Sequence, residues 1–221
     1  MTTENTARLR VVFQKGTEIK YISHLDLARA WERALRRARI NLVYSLGFNP
    51  RPKLVFASAL PVGVTGCAEL MDVVVERRIA VPNWASRVKQ QLPVGLGLVS
   101  VSEVPDALLS LPSQLRASEY RVLLRSSDSP AALQARLDGL LAQETIIRHR
   151  DRPGRERIYD LRPLIQRLWI IDRRLDCYAI GMQLQSDAQG TGRPDEVMAA
   201  LGLAEATCGI ERERLLLLEE S

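Results

Sequence analysis

The chain has two histidines, His24 and His149, so imidazole chemistry rests on one of them and a multi-histidine metal site is excluded. His24 lies in Ser23-His24-Leu25-Asp26, a helix-opening pattern. There the Ser23 hydroxyl can accept from the third helical N–H while Asp26 reaches back. In a first turn the helix dipole disfavours imidazolium and leaves a neutral ring, able to act as a base or to donate a hydrogen bond. Metal-free RNA cleavage needs a base, an acid and a cation around one 2′-hydroxyl, and His24, Tyr21 and Lys20 are the candidates for those roles. The other reading is that His24, one turn before Ala28 and Trp31, is half-buried and satisfied. His149, within Arg148-His149-Arg150, reads as part of a solvated strand face beside a basic turn and is given no role.

Two further groups carry binding chemistry. The helix that starts after Ser23 places Arg29, Arg33, Arg36 and Arg37 on one stripe, with Glu32 between them. Such a stripe is a solvated face unless something nearby gives it a partner. The neighbouring segment Gly47-Phe48-Asn49-Pro50-Arg51-Pro52-Lys53 is that something. Gly47 permits a positive backbone angle, and each proline stiffens the chain around it. A rigid exposed loop of this kind can stack a base on Phe48, with Asn49 beside it, while Arg51 and Lys53 meet phosphate. Alternatively Phe48 folds inward as a plug and the prolines only hold a hairpin.

The elements that must position these groups are readable from periodicity. Residues 8–14 alternate Leu9, Val11 and Phe13 against Arg10, Val12 and Gln14, which predicts a strand. The helix is expected over 24–39, with Leu27, Ala28, Trp31, Leu35 and Ala38 facing the core. Strands are expected over 54–60 and 69–76, then a helix opened by Pro82 through Trp84 and Val88, and a strand over 97–104. That order, β-α-β-β-α-β, is the split βαβ plan. Residues 105–113 read as a linker. The second half predicts a strand over 119–125, a helix over 130–142 and a strand over 144–150. Extended segments over 157–171 are broken by Pro163, then come a strand over 175–185, a helix from 193 to about 201 and a strand over 210–218. The expectation is an α+β protein of two tandem ferredoxin-like domains with antiparallel sheets, residues 1–110 and 111–221.

With 221 residues, 46% hydrophobic and 26% charged, the composition is that of a globular chain and excludes a disordered tail or fibre. No apolar run of membrane-spanning length and no apolar leader segment is present, so the cytoplasm is the expected compartment. Cys67, Cys177 and Cys208 are odd in number and far apart, which gives no disulfide framework and predicts small buried thiols. No phosphate-binding glycine loop, nucleophile elbow or H-E-x-x-H occurs, and no cofactor is expected. Net charge is +5, carried by arginine, with only Lys15, Lys20, Lys53 and Lys89 as lysines. Between Arg8 and Lys53 eleven basic side chains face three acidic ones, Glu18, Asp26 and Glu32. A positive field focused at one end favours a polyanion, and arginine favours planar bidentate contacts.

The runs Lys20-Tyr21-Ile22-Ser23-His24-Leu25-Asp26-Leu27, Trp31-Glu32-Arg33-Ala34-Leu35-Arg36-Arg37-Ala38, Tyr44 to Lys53 and Ala57 to Gly63 resemble the radical SAM-linked protein family. Tyr159-Asp160-Leu161-Arg162-Pro163-Leu164-Ile165 and Arg193-Pro194 match it more weakly. The resemblance implies a domain fused to, or encoded beside, a radical SAM enzyme. The C-x-x-x-C-x-x-C of the cluster is missing here, so this chain would be the partner and not the enzyme. In plan the chain is also similar to CRISPR repeat-processing endoribonucleases, which pair two ferredoxin-like domains and place a catalytic histidine near the first helix. Their C-terminal glycine-rich loop has no counterpart around Gly202 to Gly209. The expected function is a non-catalytic RNA-binding accessory protein. A metal-independent endoribonuclease using His24, or a protein–protein scaffold, is the alternative.

Overall fold

The computed structural model describes residues 5–76, 80–105, 107–152 and 155–218. It is a mixed α+β protein whose chain divides into two compact units, Met1–Leu115 and Arg116–Ser221. In the first unit strand β1 (Thr6–Lys15) leads to helix α1 (His24–Arg37), strands β2 (Leu54–Phe56) and β3 (Thr65–Glu76), helix α2 (Val81–Lys89) and strand β4 (Leu96–Val104). β1 lies between β4 and β3, β2 pairs with β3, and all three pairings are antiparallel. The strand order is therefore β4-β1-β3-β2.

Alternation decides the faces. Leu9, Val11 and Phe13 of β1, and Met71, Val73 and Val75 of β3, are buried against Leu27, Trp31 and Leu35 of α1 and Trp84 and Val88 of α2. Three aromatic contacts lock α1 to the sheet. Phe13 meets Trp31 edge-on at 5.2 Å and Phe56 at 5.9 Å, and Phe56 meets the His24 ring at 5.0 Å.

The opposite face of the same strands carries an ion group centred on the buried Asp72 carboxylate. Arg10 and Asp72 are register partners across β1 and β3. The Arg10 guanidinium donates to both Asp72 carboxylate oxygens, at 2.9 and 3.2 Å, and Arg8 lies 3.4 Å from the same carboxylate. Arg8 also donates to the carbonyls of Leu108 and Leu109, and Arg10 to the Gln114 side chain. These bonds hold the segment expected as a linker, part of which is the short helix α3 (Leu111–Gln114) with Leu111 buried. Lys15 is buried as well and donates to the Lys20 carbonyl at 2.9 Å. Of the eleven cations read as one positive field, Lys15 is thus buried and Arg8 and Arg10 are half-buried on Asp72, whose charge lies 62 residues beyond Arg10 and could not be paired with it by composition.

The end of α1 departs from the usual chemistry. The N–H of Ile40 donates to the Leu35 carbonyl and that of Arg39 to the Arg36 carbonyl, the two bonds of a Schellman cap. The left-handed position is held by Arg39 at φ 55°, where glycine is ordinarily found and where a side chain costs about 1 kcal/mol.

In the second unit β5 (Leu115–Arg125) precedes α4 (Pro130–Leu141), a hairpin of β6 (Ile147–Arg152) and β7 (Arg155–Asp160), then β8 (Ile165–Arg174), β9 (Cys177–Gln185), α5 (Pro194–Ala200) and β10 (Thr207–Leu217). Within this unit the strand order is β10-β5-β9-β8, and β6 and β7 pair in a separate two-stranded sheet. This corrects the expected strand over 144–150, which leaves the main sheet. The Asp160 carboxylate accepts from the backbone N–H groups of Ile146 and Arg162, closing the base of the hairpin. Arg162 donates to the carbonyls of Leu141 and Ile165 and so joins α4 to β8. Cys177 and Cys208 are exposed and Cys67 is half-buried, contrary to the expected buried thiols.

Asp72→Asn leaves two guanidinium groups facing a neutral amide. It should lower unfolding stability by about 3 kcal/mol, read as a shifted urea midpoint at unchanged slope; an unshifted midpoint would show that the ion group contributes nothing.

Candidate nucleic-acid interface

The segment from Tyr44 to Lys53 is an excursion out of an edge pairing. Leu42 pairs with Val75 ahead of it and Leu54 with Val73 after it, so both flanks run along the same side of β3. The Val43 N–H donates to the Val74 carbonyl, the Val74 N–H to the Lys53 carbonyl, and the Lys53 N–H to the Val43 carbonyl. This ring of three backbone bonds roots the excursion. Above it Tyr44 bridges Pro52, and Ser45 meets Arg51 twice. The Ser45 N–H donates to the Arg51 carbonyl at 2.8 Å, and the Arg51 N–H donates to the Ser45 hydroxyl at 3.1 Å. The result is a hairpin whose tip, Leu46-Gly47-Phe48-Asn49-Pro50, is exposed at every residue. Gly47 has φ 140°, a conformation side chains resist, and it turns the chain at the tip.

Leu46 and Phe48 are fully exposed, so Phe48 is no plug. Arg51 and Lys53 are also exposed, and neither side chain has a partner among the described residues. At the hairpin's foot the Arg36 guanidinium sits 5.9 Å from the centre of the Tyr44 ring while pairing with the Glu32 carboxylate at 2.7 Å. Tyr44 and Leu46 were not singled out from sequence; the hairpin geometry exposes both.

The arginine stripe of α1 divides by what each side chain touches. Arg29 is tied to Asp26 at 3.3 Å near the first turn. Arg33, exposed, has no partner among the described residues. Arg36 turns toward the hairpin, and Arg37 turns the other way, donating to the Gln91 carbonyl beyond α2 at 2.7 Å. The Arg36–Tyr44 contact joins the α1 surface to the hairpin that carries the exposed Phe48, Arg51 and Lys53, while Arg37 is directed to the Gln91 carbonyl.

His24, Tyr21 and Lys20 belong to the turn that enters α1. The Lys20 carbonyl accepts from the Lys15 ammonium and from the Gly63 N–H, which fixes the turn. The Lys20 ammonium lies 5.0 Å from the centre of the exposed Tyr21 ring. His24 is exposed at the first helical position, its ring in a T-shaped contact with Phe56. The Ser23 cap forms as its spacing suggests: the hydroxyl accepts from the Asp26 N–H at 3.1 Å and donates to the Asp26 carboxylate at 2.7 Å. That donation, opposed by desolvation and aided by Arg29 and the Ser23 backbone, holds the Asp26 carboxyl below its ordinary value. Among the described residues no group of three His, Cys, Asp or Glu side chains could hold a metal, and no helix is long and apolar enough to cross a membrane.

Residues 8–194 match the model of a family described as an uncharacterized protein conserved in bacteria (DUF2344), and the chain belongs to that family. No curated protein matches it. Among solved structures, the chain is similar to one from a Cbf5-Nop10-Gar1 complex at 12% identity and TM-score 0.48, over 94% of this chain and 48% of that one. It is similar to one from an archaeal box H/ACA sRNP Nop10-Cbf5 complex at 12% identity and TM-score 0.46, over 95% and 48%. A putative glycine cleavage system transcriptional repressor matches at 13% identity and TM-score 0.25, over 97% and 99%. The chain spans about half the length of the first two, and likeness this distant carries no argument about chemistry.

Ser23→Ala removes the cap and should cost about 1 kcal/mol at neutral pH. Because the Asp26 carboxyl titrates lower in the folded chain, its contribution is complete above the ordinary carboxylate value and is lost as pH falls through the folded one. The deficit of Ser23→Ala against the parent should therefore narrow below about pH 4; a deficit constant from pH 7 to pH 2 contradicts the coupling.

Proposed function

We propose that this chain is a non-catalytic RNA-binding accessory protein, built from two ferredoxin-like modules, that grips single-stranded RNA with the hairpin tip and the arginine face of α1. The strand orders β4-β1-β3-β2 and β10-β5-β9-β8 support the modular reading. The observation that carries the function is Phe48, a fully solvated aromatic ring on a tip rooted by five backbone and side-chain bonds. Burial of a ring is the default, and a ring held in water on a stiff support is poised to stack. The exposed Arg33 of α1 and Arg51 and Lys53 of the hairpin offer charge for phosphates.

A radical SAM enzyme as the partner rests on the sequence resemblance. The role of this chain would then be to present RNA, or a ribonucleoprotein, to that enzyme.

Fluorescence anisotropy with labelled single-stranded RNA, across a salt series and with chelator present, tests this. Phe48→Ala should weaken binding about tenfold, the loss of one stacked base. Arg33→Ala with Arg51→Ala should flatten the log–log salt slope by about 1.4, two single-strand phosphate contacts. Unchanged affinity and slope would overturn the reading in favour of a scaffold. Chelator-resistant cleavage that disappears in His24→Ala would overturn it in favour of the nuclease.

A further inference from the structure

The C-terminal ends of α1 and α2 meet at a concavity of about 280 Å³ lined by Arg37, Ala38, Arg39, Arg87, Gln90 and Gln91. Helix C-termini present unpaired carbonyls and a partial negative charge, which repel an anion. Here each helix answers the other. Arg37 of α1 donates to the Gln91 carbonyl after α2 at 2.7 Å, and Arg87 of α2 donates to the Arg39 carbonyl after α1 at 3.1 Å. The exchange neutralises both helix ends and holds both guanidinium planes against backbone. Each arginine keeps the rest of its five-donor fork without a protein acceptor among the described residues. Arg39 adds a third guanidinium with no partner there, Gln90 and Gln91 add carboxamides, and the lining contains no carboxylate.

We propose that this concavity is a binding site for a phosphate group. Three cations and two amides without an acid call for an oxyanion, and fork-shaped donors approaching from two helices and their cap suit one with several oxygens disposed tetrahedrally. The backbone gives an independent pointer. The Schellman position would be most stable with glycine, yet it carries Arg39 at φ 55°, so the strain holds a guanidinium at the rim of this concavity. The site does not depend on the hairpin, because inorganic phosphate tests it with no nucleic acid present.

The experiment titrates inorganic phosphate into the full chain and monitors the arginine Nε–H signals by NMR at fixed ionic strength. Saturable movement of the Arg37 and Arg87 signals is expected. Arg39→Gly suits the left-handed position, so its melting temperature should hold or rise while phosphate affinity falls about tenfold. Signals that stay still at millimolar phosphate, or an Arg39→Gly chain that binds phosphate as well as the parent, would overturn the proposal. A second arm compares 5′-phosphorylated with 5′-hydroxyl oligoribonucleotides. Tighter competition by the phosphorylated form supports an RNA end as the source, and no difference supports free phosphate or a small ester.

Discussion

The aromatic contacts running from Trp31 through Phe13 and Phe56 to His24 are the constraint on which the first unit's surface depends. Trp31 is completely buried, so the rotation of α1 about its axis is fixed by where that indole must go. With Leu27, Ala34 and Leu35 inward, the arginine positions have nowhere to point but out. Phe56 fixes the far side: it seats β2 against β3 and so anchors the strand from which the hairpin departs. One cluster of rings thus sets both the charged face and the base of the stacking tip.

Outward arginines differ in fate because of local partners. Arg29 and Arg36 answer acids one helical turn away, which moderates their field without removing it. Arg37 serves the Gln91 carbonyl, and Arg8 and Arg10 serve Asp72 within the unit. The field that reaches solvent is therefore smaller than the sequence count and split between two places. One is the hairpin side of α1, where charge adjoins exposed rings. The other is the meeting of the two helix ends, where charge adjoins a concavity.

Much of this was legible in the sequence, for reasons that are local. Ser23 and Asp26 mark the start of α1, and the Leu27–Trp31–Leu35 stripe fixes its face, because cap and periodicity act within a few residues. Two prolines and a glycine around Phe48 announce the exposed loop. What was hidden depends on distant pairing. Residues 147–152 have strand character, but whether they join the main sheet or fold back on β7 is decided by pairing elsewhere. Nothing near Arg10 reveals Asp72. Arg39 was invisible as a helix cap because the usual signal is a glycine, and the position carries a side chain instead.

RNA binding at the hairpin turns on a single-stranded base stacking on Phe48. Irradiating the chain with an oligoribonucleotide containing 4-thiouridine and mapping the adduct by mass spectrometry tests it most directly. A principal crosslink at Phe48 or its hairpin neighbour Tyr44, lost in Phe48→Ala, is expected. Crosslinks confined to the second unit, or none while binding persists, would contradict it.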